Sequence, residues 1–311
     1  MTYLGTMPGV KELEARLDRL LKIRPDLAEA AALQRELLRE CYRSAPRPVA
    51  PGLSRERARR KLADGTPLLH GEAVDPDLAF CRDLFGRLLN TLQERPESAE
   101  AAGDIAYAAA TGRLELEPAL CEALVGHAEH LFEVAARAAL PADMLATVLE
   151  LTVRPILQAL ATELKPLLRE TEAWIRGYCP VCGAWPGLAE LQMAEQQRHP
   201  RCLRCGADWA ALRLLCAYCG NDDHRSLGYL QGEREPRFRV EVCERCKGYL
   251  KAVNVFEPNA PEYLVLEDLA SVHLDVAALE RGYTRHEGSG FRLEYARGEA
   301  GSAPDDLRES G

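Results

Sequence analysis

The chain has 311 residues, with 39 Lys and Arg against 48 Asp and Glu for a net charge of −9, and 47% of it is hydrophobic. At roughly 150 residues per domain this length predicts about two domains with a packed core, and the acidic balance argues against a general binder of phosphate backbones, which needs surplus Lys and Arg. No uninterrupted apolar run approaches the ~18 residues that span a bilayer, and Met1 to Gly9 lacks the basic-then-apolar pattern of a signal peptide, so the expectation is a soluble protein of the reducing cytoplasm without membrane insertion.

Residues 1–170 read as helices. Val10 to Ile23 places Leu13, Leu17, Leu20 and Leu21 on one face, and Pro25 ends it. Leu27 to Tyr42 follows, closed by Pro46 and Pro48. Asp75 is expected to cap a helix running to Leu92, with Pro76 in its first position. Gly103 to Thr111 is another, stopped at Gly112. Pro118 to Leu140 and Pro141 to Leu168 carry the strongest helical patterns, the second with a bend expected at Pro155. A helical bundle is the natural way to bury these faces.

Near Tyr178 the character changes. Phe238, Val240 and Val242 alternate with charged residues, as in a half-buried strand, and Lys251 to Phe256 repeats that pattern. Leu264 to Leu279 returns to helix, and the tail 298–311 is small, polar and acidic, as in disordered segments. The fold class expected is α+β, mainly α. Its parts are a helical domain (1–170), a first rubredoxin-like or zinc-ribbon-like module (171–213), a second such module with a C-terminal helix (214–297), and the tail.

Eight of the 11 cysteines lie between Cys179 and Cys246 as four CxxC pairs: Cys179/Cys182, Cys202/Cys205, Cys216/Cys219 and Cys243/Cys246. A tight CxxC turn aims two thiolates at one point, and two such knuckles complete a tetrahedral four-sulfur site for zinc or iron. Gly183, Gly206 and Gly220 follow three of the pairs and can adopt the positive φ that turns backbone N–H groups toward the sulfurs. Sequential pairing leaves gaps of 19 and 23 residues, close to two-knuckle modules; a cross-braced pairing stays open. Disulfides are disfavoured without an export signal, and redox CxxC motifs need a βαβ setting. The expectation is two metal ions per chain, iron or zinc. With four protein ligands the coordination is closed and leaves no place for an activated water, so no catalytic residue is assigned and the chain is read as a non-enzyme. Cys41, Cys81 and Cys121 are expected to be small buried apolar side chains.

His127 and His130, with Glu129 and Glu133, suggest half of a carboxylate-bridged metal site, but without a second ExxH a solvated helix face is the better reading. His199, His224 and His273 receive no role. Arg198, Arg201, Arg204 and Arg213 with Trp209 offer a stacking patch for single-stranded nucleic acid, which the near-neutral cysteine region disfavours.

The segments Cys179–Gly183, Arg201–Trp209, Cys216–Asn221, Cys243–Lys251 (CERCKGYLK), Leu266–Asp275 (LEDLASVHLD) and Glu280–Tyr283 (ERGY) resemble, in order and spacing, the formate dehydrogenase accessory protein family (FdhE) over roughly Trp174 to Tyr283. The resemblance implies a cytoplasmic assembly factor that binds the immature, molybdenum-containing catalytic subunit of formate dehydrogenase. It also implies a rubredoxin-like cysteine region able to hold iron, with the eight cysteines carried over one by one. A rubredoxin-like electron carrier and a zinc-ribbon nucleic-acid binder are the alternatives. Trp185, Trp209, Tyr218 and Tyr249 are candidates either for partner contact or for local packing around the knuckles.

Overall fold

The computed structural model describes residues 10–47, 51–74, 76–126, 128–169, 174–232 and 235–294. The cap expected at Asp75, His127 and the tail 298–311 lie outside these. The helices in the first half are α1 (Val10–Ile23), α2 (Ala28–Cys41), α3 (Arg55–Ala63), α4 (Leu78–Gln93), α5 (Ala99–Ala110), α6 (Leu116–Val125), α7 (Ala128–Arg137) and α8 (Ala142–Arg169). In α4 the cap is Asp77, whose carboxylate accepts from the Phe80 backbone N–H at 3.3 Å. Ser54 caps α3 by accepting from Arg57 N–H.

Helix α8 is the axis of the bundle. Leu145, Val148, Leu149, Ile156, Leu157 and Leu160 are fully buried, and α4, α6 and α7 pack around them. It runs through both Pro155 and Pro166. By length and composition alone it would cross a membrane, but two-thirds of its most apolar window is buried inside the protein. The single helix expected from Pro118 to Leu140 is instead α6 and α7. Gly126 takes φ 80° at the end of α6, a left-handed cap that stops the first helix.

The second half holds one five-stranded sheet: β1 (Leu188–Gln192), β2 (Gln197–Arg201), β3 (Leu227–Leu230), β4 (Phe238–Cys243) and β5 (Tyr249–Val255), in the order β2-β1-β5-β4-β3. β1/β2, β3/β4 and β4/β5 are antiparallel, while β1 and β5 run parallel with Leu188 opposite Lys251. The strand expected at Phe238–Val242 is β4, and that at Lys251–Phe256 is β5, which begins two residues and ends one residue earlier. Two short helices follow, α9 (Leu264–Ala270) and α10 (Val272–Leu279). They replace the one expected helix, broken at Ser271, whose hydroxyl bonds back to the Glu267 carbonyl.

The two halves share a core. Leu13, Leu17 and Leu20 of α1 pack on Tyr263 and Leu266. The cluster centred on α8 continues without a break into Val181, Ala184, Trp209 and the cysteines of the first two pairs.

Candidate metal centres

The strands repeat one plan. A cysteine knuckle precedes β1 and another follows β2; a third precedes β3 and the fourth follows β4. Each antiparallel pair therefore brings its two knuckles to the same end. The sulfurs of Cys179, Cys182, Cys202 and Cys205 lie within 4.8 Å of one another, and so do those of Cys216, Cys219, Cys243 and Cys246. This is the sequential register; cross-bracing is excluded by the geometry.

The knuckles are near copies. The N–H of the first cysteine donates to the carbonyl five residues on: Cys179 to Ala184, Cys202 to Ala207, Cys216 to Asn221 and Cys243 to Gly248, at 2.8–3.0 Å. Gly183, Gly206 and Gly220 take φ of 72°, 72° and 66°. The fourth knuckle uses Lys247 at φ 56° in the same place.

The spacing suits a tetrahedral ion. With metal–sulfur bonds of about 2.3 Å, the edges of a tetrahedron are about 3.8 Å. Cys179–Cys205 and Cys182–Cys202 stand at 3.5 Å, Cys216–Cys246 at 3.7 Å and Cys219–Cys243 at 3.8 Å. Donors already face the sulfurs: Val181 N–H on Cys179 (3.4 Å), Cys205 N–H on Cys202 (3.5 Å), Gly248 N–H on Cys246 (3.4 Å) and Asn221 Nδ2 on Cys243 (3.6 Å). Such donors offset the net negative charge of four thiolates around a divalent ion. Each group could therefore hold one metal ion. All-thiolate donors suit zinc and iron alike.

The centres differ in depth. All four cysteines of the inner cluster are buried, whereas Cys219 of the outer one is exposed and Cys246 half-buried. Burial pushes the Cys179 and Cys205 thiols well above their ordinary range, while hydrogen bonds from Cys179, Cys182 and Cys205 hold Cys202 well below it. In the outer cluster burial pushes Cys216 up. Burial also opposes ionisation of Cys243, but the N–H groups of Cys246 and Arg245 and the Cys219 and Cys246 thiols bring it down to about 7.

The inner cluster is fastened to the bundle. Leu68 and Leu69 donate to the carbonyls of Pro180 and Val181, and Tyr178 donates to Gly65 O at 2.6 Å. Arg204 reaches Glu150 at 3.0 Å and donates to the carbonyls of Ala123 and Leu124 at the end of α6.

The other candidates go elsewhere. His130 pairs with Glu122 at 2.8 Å. His199 faces Asp208, His224 is exposed, and His273 bridges Arg24 and Glu235. Arg198 and Arg201 are buried against Glu241 and Glu190, and Trp209 is buried, so these side chains present no exposed stacking patch. Tyr249 is buried, and Trp185 and Tyr218 are half-buried in a T-shaped contact at 5.3 Å. All four aromatics thus pack around the knuckles. Cys41 and Cys81 are buried as expected, with burial pushing their thiols to about 11 and about 12. Cys121 is not: it faces outward from α6, whose inner side is Ala119, Leu120, Ala123 and Leu124.

Fold and site together describe a helical bundle joined to a sheet region with two tetra-cysteine groups, each able to hold a metal ion. Residues 201–291 match the family model of the FdhE C-terminal domain. The chain is 34% identical over 150 residues to the FdhE homolog of Aquifex aeolicus, covering 47% of this chain and 51% of that one. It is 33% identical over 113 residues to protein FdhE of Escherichia coli O127:H6, covering 35% and 36%. The matched part is thus about half the length of the first relative and a third of the second. The crystal structure of the FdhE protein from Pseudomonas aeruginosa shares the fold, with a TM-score of 0.59 and 24% identity over 91% of this chain and 95% of that one. These findings support the FdhE family for this chain.

Proposed function

We propose that this chain is an accessory factor for formate dehydrogenase, acting in the cytoplasm on the immature molybdenum-containing catalytic subunit, with one metal ion in each cysteine cluster. The observation that carries the reading is the closure of both clusters. Four protein sulfurs fill a tetrahedral ion and leave no position for a reacting water, which favours a folded binding module over a hydrolytic enzyme. The FdhE relationship supplies the partner. Nucleic acid and membrane insertion have no part in the reading: α8 is spent in the core, and three of the four arginines that suggested nucleic acid are engaged internally.

In this reading the inner metal joins the sheet to the helical domain, and the outer metal orders the end of the sheet that faces solvent. The test is anaerobic co-purification from cells respiring formate, with tagged wild type and a Cys243→Ser/Cys246→Ser variant. Capture of the catalytic subunit by wild type alone supports the reading and makes the outer centre necessary. Capture by neither removes it.

Exposure of Cys219 favours one second reading, one-electron transfer by iron in the outer cluster. Reversible bleaching of a visible thiolate–iron absorption band on adding a one-electron reductant would support it. A colourless, zinc-filled protein from the native host would remove it.

A further inference from the structure

Beside the outer cluster, on the face of the sheet, lies a pocket of about 200 Å³. Cys216 and Cys243, one from each knuckle, stand in its wall with Val242 and Leu250. An apolar cavity of about 150 Å³ accepts benzene, so there is room here for one Leu or Phe side chain.

The rim is apolar and exposed. Leu214 and Tyr229 line the pocket at 60% and 61% exposure, and Leu212, two residues before Leu214 and outside the lining itself, is 68% exposed. The segment of Leu212 and Leu214 is held in place, since Ala211 N–H donates to Arg198 O and Arg198 Nη1 to Leu212 O. Clustered exposed apolar side chains of this kind mark interaction sites.

The charge in the lining is one-sided. Arg198, Arg213 and Arg239 face a single carboxylate, Glu241, within a chain of net charge −9. Glu241 already accepts from Arg198 Nε and Arg239 Nη2, each at 2.8 Å. Arg239 Nε is buried with no hydrogen-bond partner, and Arg213 is exposed. That unpaired donor leaves the Arg239 guanidinium short of one acceptor, so Glu241 only partly answers the positive charge in the pocket wall.

We propose that this pocket docks an extended acidic segment of a partner protein. The segment seats one Leu or Phe side chain beside the outer cluster and sets an adjacent Asp or Glu carboxylate on Arg213 and Arg239. The proposal rests on the accessory reading above in taking the occupant to be a client protein. Because two metal-ligating cysteines form part of the wall, cross-linking their sulfurs through a metal fixes the pocket. By linkage, a bound peptide must then retard metal loss.

The test uses the metal-filled full-length chain and a fluorescein-labelled peptide, Glu-Asp-Leu-Phe-Asp-Glu, followed by anisotropy. Wild type is expected to bind it. Arg213→Glu and Leu214→Asp, both exposed and so harmless to folding, are expected to weaken binding by at least about tenfold, or about 1.4 kcal/mol, with metal content unchanged. Peptides with Lys for each acid, or Ala for Leu and Phe, are expected not to bind, and the acidic peptide is expected to slow extraction of one metal by a chelator. Absence of binding by wild type, equal binding of the Lys peptide, or undiminished binding by the two variants overturns the proposal. Undiminished binding by Cys219→Ser overturns the role of the metal. Co-purification separates the two readings: if the catalytic subunit follows wild type and Arg213→Glu/Leu214→Asp equally, the pocket is refuted and the accessory reading stands. If the peptide binds but the subunit is never captured, the accessory reading fails and the pocket stands.

Discussion

Lys247 stands after the fourth cysteine pair where Gly183 stands after the first, and both hold left-handed backbone, at φ 56° and 72°. The knuckle therefore demands the conformation and not the residue. Lys247 finds compensation in an ion pair with Glu244 and in the Tyr283 ring, 5.4 Å from its ammonium. Gly183 has none to offer a side chain, because a Cβ there would meet the Phe291 carbonyl at 2.9 Å. Left-handed backbone costs a residue with a Cβ about 1–2 kcal/mol. Lys247→Gly should keep both metals and leave stability within about 1 kcal/mol of wild type, whereas Gly183→Ala should lose roughly 2 kcal/mol or more by strain and clash together. Urea denaturation with metal analysis checks both, and a harmless Gly183→Ala would refute the argument.

The two clusters should part with metal at different rates. The inner one lies in the α8 core with every sulfur buried, while Cys219 opens the outer one to solvent. A chelator is expected to remove one equivalent quickly and the second only as the domain unfolds. Cys219→Ser should give a folded protein with one metal. Cys182→Ser should lower stability by about 2–5 kcal/mol, the scale of a damaged core, because the packing of Ala184 and Trp209 on the helices depends on that knuckle. Simultaneous release of both metals would contradict the difference in depth.

The cysteine spacing made the two-centre plan legible, since a CxxC turn is local chemistry, while the choice of sequential over cross-braced pairing needed the strand pairing that brings the knuckles together. The sheet was less so. β1 reads Leu-Ala-Glu-Leu-Gln and is buried along its whole length, so it shows no alternation. Its Glu190 is concealed in the core by Arg201 and Asn259. β3 is four residues with a glycine, and α3 buries only Ala58 and Leu62 amid charge; neither leaves a periodic trace. The parallel pairing of β1 with β5, which merges both modules into one sheet, joins segments about sixty residues apart and has no local signature. The pocket beside the outer cluster takes Arg198 of β2 into its wall across that merger, and no motif announced the combination.

Acid should expose the ion cluster beneath the sheet. Asp268 accepts from Arg285 Nη2 and lies by Lys251 Nζ, both at 2.8 Å. Burial pushes its carboxyl up, but the charges and hydrogen bonds of Lys251 and Arg285 outweigh it and hold the value below 3.8. The folded protein thus favours the ionised form more than the unfolded chain does. That stability is complete above the ordinary carboxylate range and is lost as pH falls through the lower folded value. Asp268→Asn is expected to cost roughly 1–3 kcal/mol at neutral pH, with the gap to wild type narrowing below about pH 4. Urea midpoints across that range test it, and a gap that grows on acidification would reverse the sign.

Gly126 does two jobs, and they can be separated. Its φ of 80° ends α6, and its missing side chain leaves room for Arg204, whose Nη1 would lie 2.3 Å from a Cβ. The same guanidinium holds the inner knuckle to the helix end and to Glu150. Gly126→Ala should therefore strain the backbone and also expel Arg204, while in an Arg204→Ala background only the backbone strain is left. The cycle should show a coupling of roughly 1–2 kcal/mol, within the range found for residues in contact. The single Gly126→Ala variant should also release the inner metal to a chelator sooner than wild type does, since the knuckle has lost its tie to α6. Additive costs and an unchanged rate of metal release would mean that Arg204 merely lies against the helix end, and that the inner module is held by its apolar packing alone.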